Sequence, residues 1–187
     1  MKTINKYKMK SNKIAIAFLL AVLPLITFSQ SLFEKYEDLD EVSTVVVTKH
    51  AFRLMGKIGG DSTEAKEYVD MVQNLDNLTV YTTEDKGIAA QIKADVKKYL
   101  KSSDLSELVR IKDKDANVKI YVREGRDDTH VKELFMFVNS LNSVNINGRT
   151  PSVVVISLTG DIDLDKIAEL TDKMNIPGGK HLKKAKK

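Results

Sequence analysis

Three aspartates in GDIDLDKI, Asp161, Asp163 and Asp165, sit at alternate positions and are candidate metal ligands. That spacing supplies hard oxygen ligands at positions 1, 3 and 5 of a calcium loop. The rest of such a loop is missing. Its sixth position needs glycine for a sharp turn and holds Lys166, and its twelfth needs a bidentate glutamate and holds Asp172. The preferred reading is that Gly160 ends a strand and the acids cap the N-terminus of a helix, where the helix dipole favours negative charge. The three histidines, His50, His130 and His181, form no H-x-x-H or H-E-x-x-H pair. His50 reads as a hydrogen-bonded surface imidazole at a strand–helix junction. Lys57–Ser62, KIGGDS, is glycine-rich before a helix and could offer amides to an anion. It lacks the spacing and the Lys-Ser/Thr pair of a phosphate loop, and it reads as a turn between helices. No G-x-S-x-G is present. With 26 acidic residues, chance carboxylate pairs carry no glycosidase signal.

The chemistry that remains depends on compartment. Residues 14–28 are apolar or small, broken by Pro24, and five lysines with no acid precede them. A bilayer core needs about 20 apolar residues on a helix, so the run is short for a permanent span. Basic residues, an apolar run, then Thr27 and Ser29 two apart make a signal peptide. The cut is expected after Ser29, leaving Gln30 first, and either Met1 or Met9 could start the chain. The mature protein is then periplasmic or extracellular. No cysteine occurs, which excludes disulfides, thiol catalysis, cysteine-held metals and a lipid anchor on cysteine.

Removing the leader changes the charge. The whole chain is +4, but residues 30–187 carry 25 basic against 26 acidic residues. The tail over residues 180–187, KHLKKAKK, holds five lysines, so the body is 20 against 26. The basic pI comes from the two ends. A nucleic-acid partner needs a basic face on the domain itself, and none is expected. The tail reads as a solvated, disordered end, with weak contact to an anionic membrane as the alternative. The organisation expected is a signal peptide over 1–29, one domain over 30–179 and the tail over 180–187.

Ser31–Glu41 carries Leu32, Phe33, Tyr36 and Leu39 at helical spacing, a short helix or docked arm. STVVVT over 43–48 suits a strand buried on both faces. KHAFRLMGKI over 49–58 is a short helix with Phe52 and Met55 on its sheet side. Asp61 and Glu64 resemble a capping box for a helix with Val69 and Val72 on its apolar stripe. NLTVYT over 77–82 is a strand, and residues 85–101 form the longest helix, with Ile88, Ile92, Val96 and Tyr99 inward. The period then changes to two. SELVRIKD, 118–122, 131–138 and 153–158 read as strands, the first three as an antiparallel meander whose edge offers strand addition. Residues 163–174 form a closing helix. The expected fold class is α+β, two-layer, a mostly antiparallel sheet with helices packed on one face. The first strand–helix–strand unit leaves a parallel crossover open.

LFEKYEDLDEVSTVVVTKHAFRLM, NLDNLTVYTTED, SELVRIKDKDANVKIYVRE, HVKELFMFVN and VVVISLTGDIDLDKIAEL occur in that order. Over Leu32 to Met174 this resembles the domain of unknown function 4252 family, small exported proteins of Bacteroidota. The resemblance implies an envelope protein without assigned catalytic residues or cofactor. By association with extracytoplasmic-function sigma factor genes, it also implies a connection to envelope stress signalling. The functional expectation is a non-enzymatic binding module with a protein or envelope-surface partner. A metal-dependent or hydrolytic periplasmic enzyme and a structural or adhesive surface protein are the alternatives. Ligand and oligomeric state are left open by the sequence.

Overall fold

Alternating β-branched and aromatic positions build one six-stranded sheet, in a computed structural model that describes residues 31–58, 63–112, 114, 117–139 and 150–167. The elements are α1 (Ser31–Glu34), β1 (Val42–Thr48), α2 (Lys49–Ile58), α3 (Thr63–Gln73), β2 (Leu75–Thr83) and α4 (Lys86–Ser102). They continue with β3 (Ser106–Lys112), β4 (Asn117–Asp127), β5 (His130–Asn139) and β6 (Val153–Asp163). A helical turn follows over residues 164–167. The strands lie in the order β1-β2-β6-β5-β4-β3, and every neighbouring pair is antiparallel. The α+β class and the antiparallel meander β3-β4-β5 are therefore present. The β1–α2–α3–β2 unit is not a parallel crossover, because two helices return the chain to pair β2 antiparallel with β1.

The layering differs from the expected helices on one face. Side chains alternate across a strand, and the two parities enter two separate cores. Tyr81, Phe135, Phe137, Val153 and Val155 point to the first face, where Phe33 and Tyr36 from the α1 arm and Ala89, Ile92, Val96 and Tyr99 of α4 cover them. Leu78, Ile120, Val122, Leu134 and Leu158 point to the second, where Phe52 of α2 and Met71 and Val72 of α3 pack. Continuous apolar strands such as VVVISL must be covered on both sides, and a single helical layer cannot do that.

Two local contacts fix the first-face helices. Asp85 caps α4, its Oδ1 accepting from the Ile88 amide at 2.7 Å. The arm after α1 docks through Tyr36, whose hydroxyl donates to Asp95 Oδ2 at 2.7 Å. STVVVT is not buried on both faces: β1 is an outer strand, with Val45 51% and Val46 47% exposed. Met55 of α2 is likewise exposed while Phe52 is buried. The capping residue Asp61, Gly59-Gly60, the leader, the closing helix beyond residue 167 and the tail lie outside the described residues. Among the described residues no helix is long and apolar enough to cross a membrane.

Candidate functional site

On the first face α4 covers the middle of the sheet and leaves part of the β1-β2-β6 surface open. The result is a cleft of about 600 Å³. Strand register sets its floor in rows across the sheet. Thr48, Asn77 and Thr159 form one row, and Val46, Thr79 and Ser157 the next. Apart from Val46, these are hydroxyl and amide groups at positions whose neighbours along the same face, Tyr81 and Val155, are apolar. Asn77 Nδ2 donates to Thr79 Oγ1 at 2.9 Å, which orients the pair.

Aromatic rings close one end. Phe33 lies 5.9 Å from Tyr99 and 6.1 Å from Phe135, centroid to centroid, and Tyr81 lies 6.0 Å from Phe33. Buried tyrosine hydroxyls need partners, and each of these has a carboxylate. Tyr81 donates to Glu37 Oε1 at 2.8 Å, and Tyr99 to Glu133 Oε1 at 2.5 Å. Burial, then the Glu37 hydrogen bond, pushes the Tyr81 hydroxyl well above its ordinary value. It stays a donor at any physiological pH.

The rim is acidic. Among the described residues Glu34, Glu37 and Asp76 line it against one cation, Lys49, which is ion-paired with Asp76. Asp76 reaches the rim because the β2–β6 register slips between Leu75 and Asn77, a β-bulge. Gly160 faces that bulge with φ +140°, and a Cβ there would meet Asn74 O at 2.5 Å and Leu75 Cα at 2.7 Å. The chain at 160 therefore requires glycine. Such a cleft can hold a polar, hydrogen-bonding segment with a cationic group. Neither described histidine lines it.

The aspartates singled out in the sequence lie elsewhere, around the β4–β5 turn. Asp163 Oδ1 accepts from the amides of Asp165 and Lys166 at 3.0 and 3.3 Å, capping the turn over 164–167. Asp161 pairs with Arg126 Nη1 at 2.7 Å. Asp165 is exposed. The fold does bring Asp161 and Asp163 near His130, a proximity the spacing could not reveal. His130 Nδ1 lies 2.8 Å from Asp127 Oδ1, and its Nε2 lies 2.5 Å from Arg126 Nη2 and 3.9 Å from Asp163. Both ring nitrogens therefore already have partners within the protein. Arg126 sits where a cation would. Hydrogen bonds from His130, then Thr129, hold the Asp127 carboxyl well below the usual carboxylate range. Among the described residues no group of three or more histidines and acids gathers as a metal-ligand set. His50 is exposed at the start of α2.

Sequence reasoning marked the strands that build the cleft and missed the cleft. Its available signal was the polar run Asn77-x-Thr79 on a face that turns apolar at Tyr81, matched by Ser157-x-Thr159 after Val155.

Fold and cleft together define a small α+β domain with a ligand-sized depression on one side of a single antiparallel sheet. The model of the family described as Domain of unknown function (DUF4252) matches residues 36–170, and the chain belongs to that family. Comparison with curated proteins and with solved structures gives no match.

Proposed function

We propose that this protein is an exported, non-enzymatic binding module of the cell envelope that holds a lysine- or arginine-bearing segment of a partner protein in the first-face cleft. The observation that carries the reading is the makeup of the cleft. It has a floor mostly of hydroxyl and amide groups, an aromatic end and, among the described residues, three acids against one lysine on its rim. Ligand sites combine apolar walls with a few placed polar groups in this way, and the rim charge favours a cationic partner. The leader pattern supports export. A module that reports an envelope condition by binding a segment also fits the association with stress signalling.

A photo-crosslinking side chain at Thr159, on the cleft floor, tests the cleft. Adducts are expected in envelope fractions from Thr159 and not from Lys93 on the exposed side of α4. Equal labelling at both positions, or none at Thr159, overturns the reading. N-terminal sequencing of the exported form should begin at Gln30. An intact chain resident in the cytoplasm overturns the export.

A further inference from the structure

We propose that a second copy of this chain adds to the free edge of β1, joining the two six-stranded sheets about a two-fold axis at Val45. This goes beyond the cleft reading and rests on the backbone edge of β1, although Val46, Thr48 and Lys49 of that segment also line the cleft. Val42–Thr48 holds no charged residue and no proline, and its pairing with β2 runs without a bulge. An outer strand of that kind is a template for another strand. The other outer strand, β3, carries Glu107, Arg110 and Lys112 and a register slip between Glu107 and Val109. Those are the devices that blunt an edge.

The backbone of β1 is set for pairing outward. Thr83 O accepts from Ser152 N and Asn77 O accepts from Thr159 Oγ1, so both β2 residues turn their peptide groups to β6. Peptide direction alternates along an antiparallel strand. Their β1 partners Val42 and Thr48, and with them Thr44 and Val46, therefore turn away from β2. The Val42 amide is already taken by Leu39 O at 3.0 Å. Thr44 and Val46 present both backbone groups to the open edge, while Thr48 caps α2 and gives its carbonyl to that helix.

The edge fits a copy of itself. An axis at Val45 is the register that pairs the whole of Val42–Thr48 with itself. It sets Thr44 opposite Val46 of the second copy, so the outward amides and carbonyls meet. At the ends, Asp40-Glu41 of one chain comes beside Lys49-His50 of the other, a match of charge. On the second face α2 packs against both β1 and β2. With strands about 4.8 Å apart, a helix over the β1–β2 gap lies about 10 Å from its symmetry mate, close to the ordinary spacing of packed helices. Gly56 turns to α3, where a Cβ would meet Gln73 at 2.8 Å. Leu54, two residues earlier and about 200° round the helix, turns the other way and is 47% exposed, with Met55 beside it at 42%. Among the described residues the large apolar side chains that the single copy leaves exposed, Val45, Val46, Leu54 and Met55, all fall at this junction.

The test uses the absence of native cysteine. Two copies of Val45 form a non-hydrogen-bonded pair at the axis, with Cα atoms about 4.5 Å apart, inside disulfide range. Under mild oxidation the exported V45C protein should cross-link to a dimer, while S43C, which faces Val47 of the second copy, should not. In sedimentation the parent should be a dimer. V45K should raise its dissociation constant at least about tenfold by setting like charges opposite each other, and mixing V45K with V45E should restore it. A parent that stays monomeric at every concentration overturns the proposal, as does a dimer indifferent to V45K or cross-linked equally by S43C. Val45 points to the second face, so Thr159 crosslinking in V45K reports on the cleft separately.

Discussion

On the first face of the sheet Phe33, Tyr36, Tyr81, Tyr99 and Phe135 meet around buried carboxylates; on the second, Leu78, Leu134, Leu158, Ile162 and Val122 meet with no ionisable group in the core among the described residues. Both exclude water, but they constrain geometry differently. Aliphatic packing tolerates repacking at constant volume. A tyrosine hydroxyl bound to a buried acid has one satisfactory position, because leaving either group unpaired is costly. Asp95 joins Tyr36, Lys35 and Lys98, and Glu133 joins Tyr99 and Arg123, which also pairs with Asp104. The face that must keep a cleft open is pinned by directional bonds. The face that only closes the fold is not.

The largest effect should come from emptying the aromatic centre. Phe135 is 1% exposed and touches both Phe33 and Tyr99. Phe135→Ala should cost about 3–5 kcal/mol, at or above Leu158→Ala on the other face at about 2–5 kcal/mol. Urea denaturation of both variants measures this. A clearly larger loss at Leu158 breaks the comparison.

Acid sensitivity should belong to the first face. Burial raises the Asp95 carboxyl, but hydrogen bonds from Lys35, Tyr36 and Lys98 outweigh it and hold the group below its usual range. A carboxylate depressed in the folded state contributes stability above its unfolded value, about pH 4. That contribution disappears as pH falls through the lower folded value. Asp95→Asn should cost about 1–3 kcal/mol at neutral pH, mainly from the weakened Tyr36 bond, because both lysines stay solvated. It should also flatten the loss of stability below about pH 4. Chemical denaturation in a pH series reads both. An unchanged acid slope removes Asp95 from the account.

Much of this architecture was legible in the sequence, and the failures share a physical origin. KHAFRLMGKI gave a helix over its full span, and the β-branched runs gave strands, because period and turn chemistry are local. The two-sided covering was not legible. A helix with an apolar stripe does not state which face it will cover, and VVV reads alike in a central strand and an outer one awaiting a neighbour. Glu133 in HVKELFMF is an acid inside a strand pattern, and only the fold reveals Tyr99 and Arg123 beside it. The cleft was illegible for the same reason, since Asn77, Thr79, Ser157 and Thr159 become one surface only when β2 and β6 pair in register.

Gly160→Ala sharpens the link between backbone and cleft. Alanine at φ +140° is strained, and its Cβ would press on the backbone of the bulge that carries Asp76 to the rim. The stability loss should exceed about 1 kcal/mol, with adduct formation from Thr159 falling as well. A loss of stability with undiminished adducts would separate the bulge from binding.

The smallest effect has the opposite sign. Thr44 lies on the first face of β1, opposite Tyr81, and its Oγ1 is buried with no hydrogen-bond partner among the described residues. An unpaired buried hydroxyl is a cost that the fold carries. Thr44→Val keeps the branch and the strand preference while removing that cost, so it should raise stability by up to about 1 kcal/mol, read as a higher midpoint in thermal melts. At the edge the sign of the change is informative. A lower midpoint means that the hydroxyl has gained a partner in solution, and the open side of β1 is where such a partner can approach.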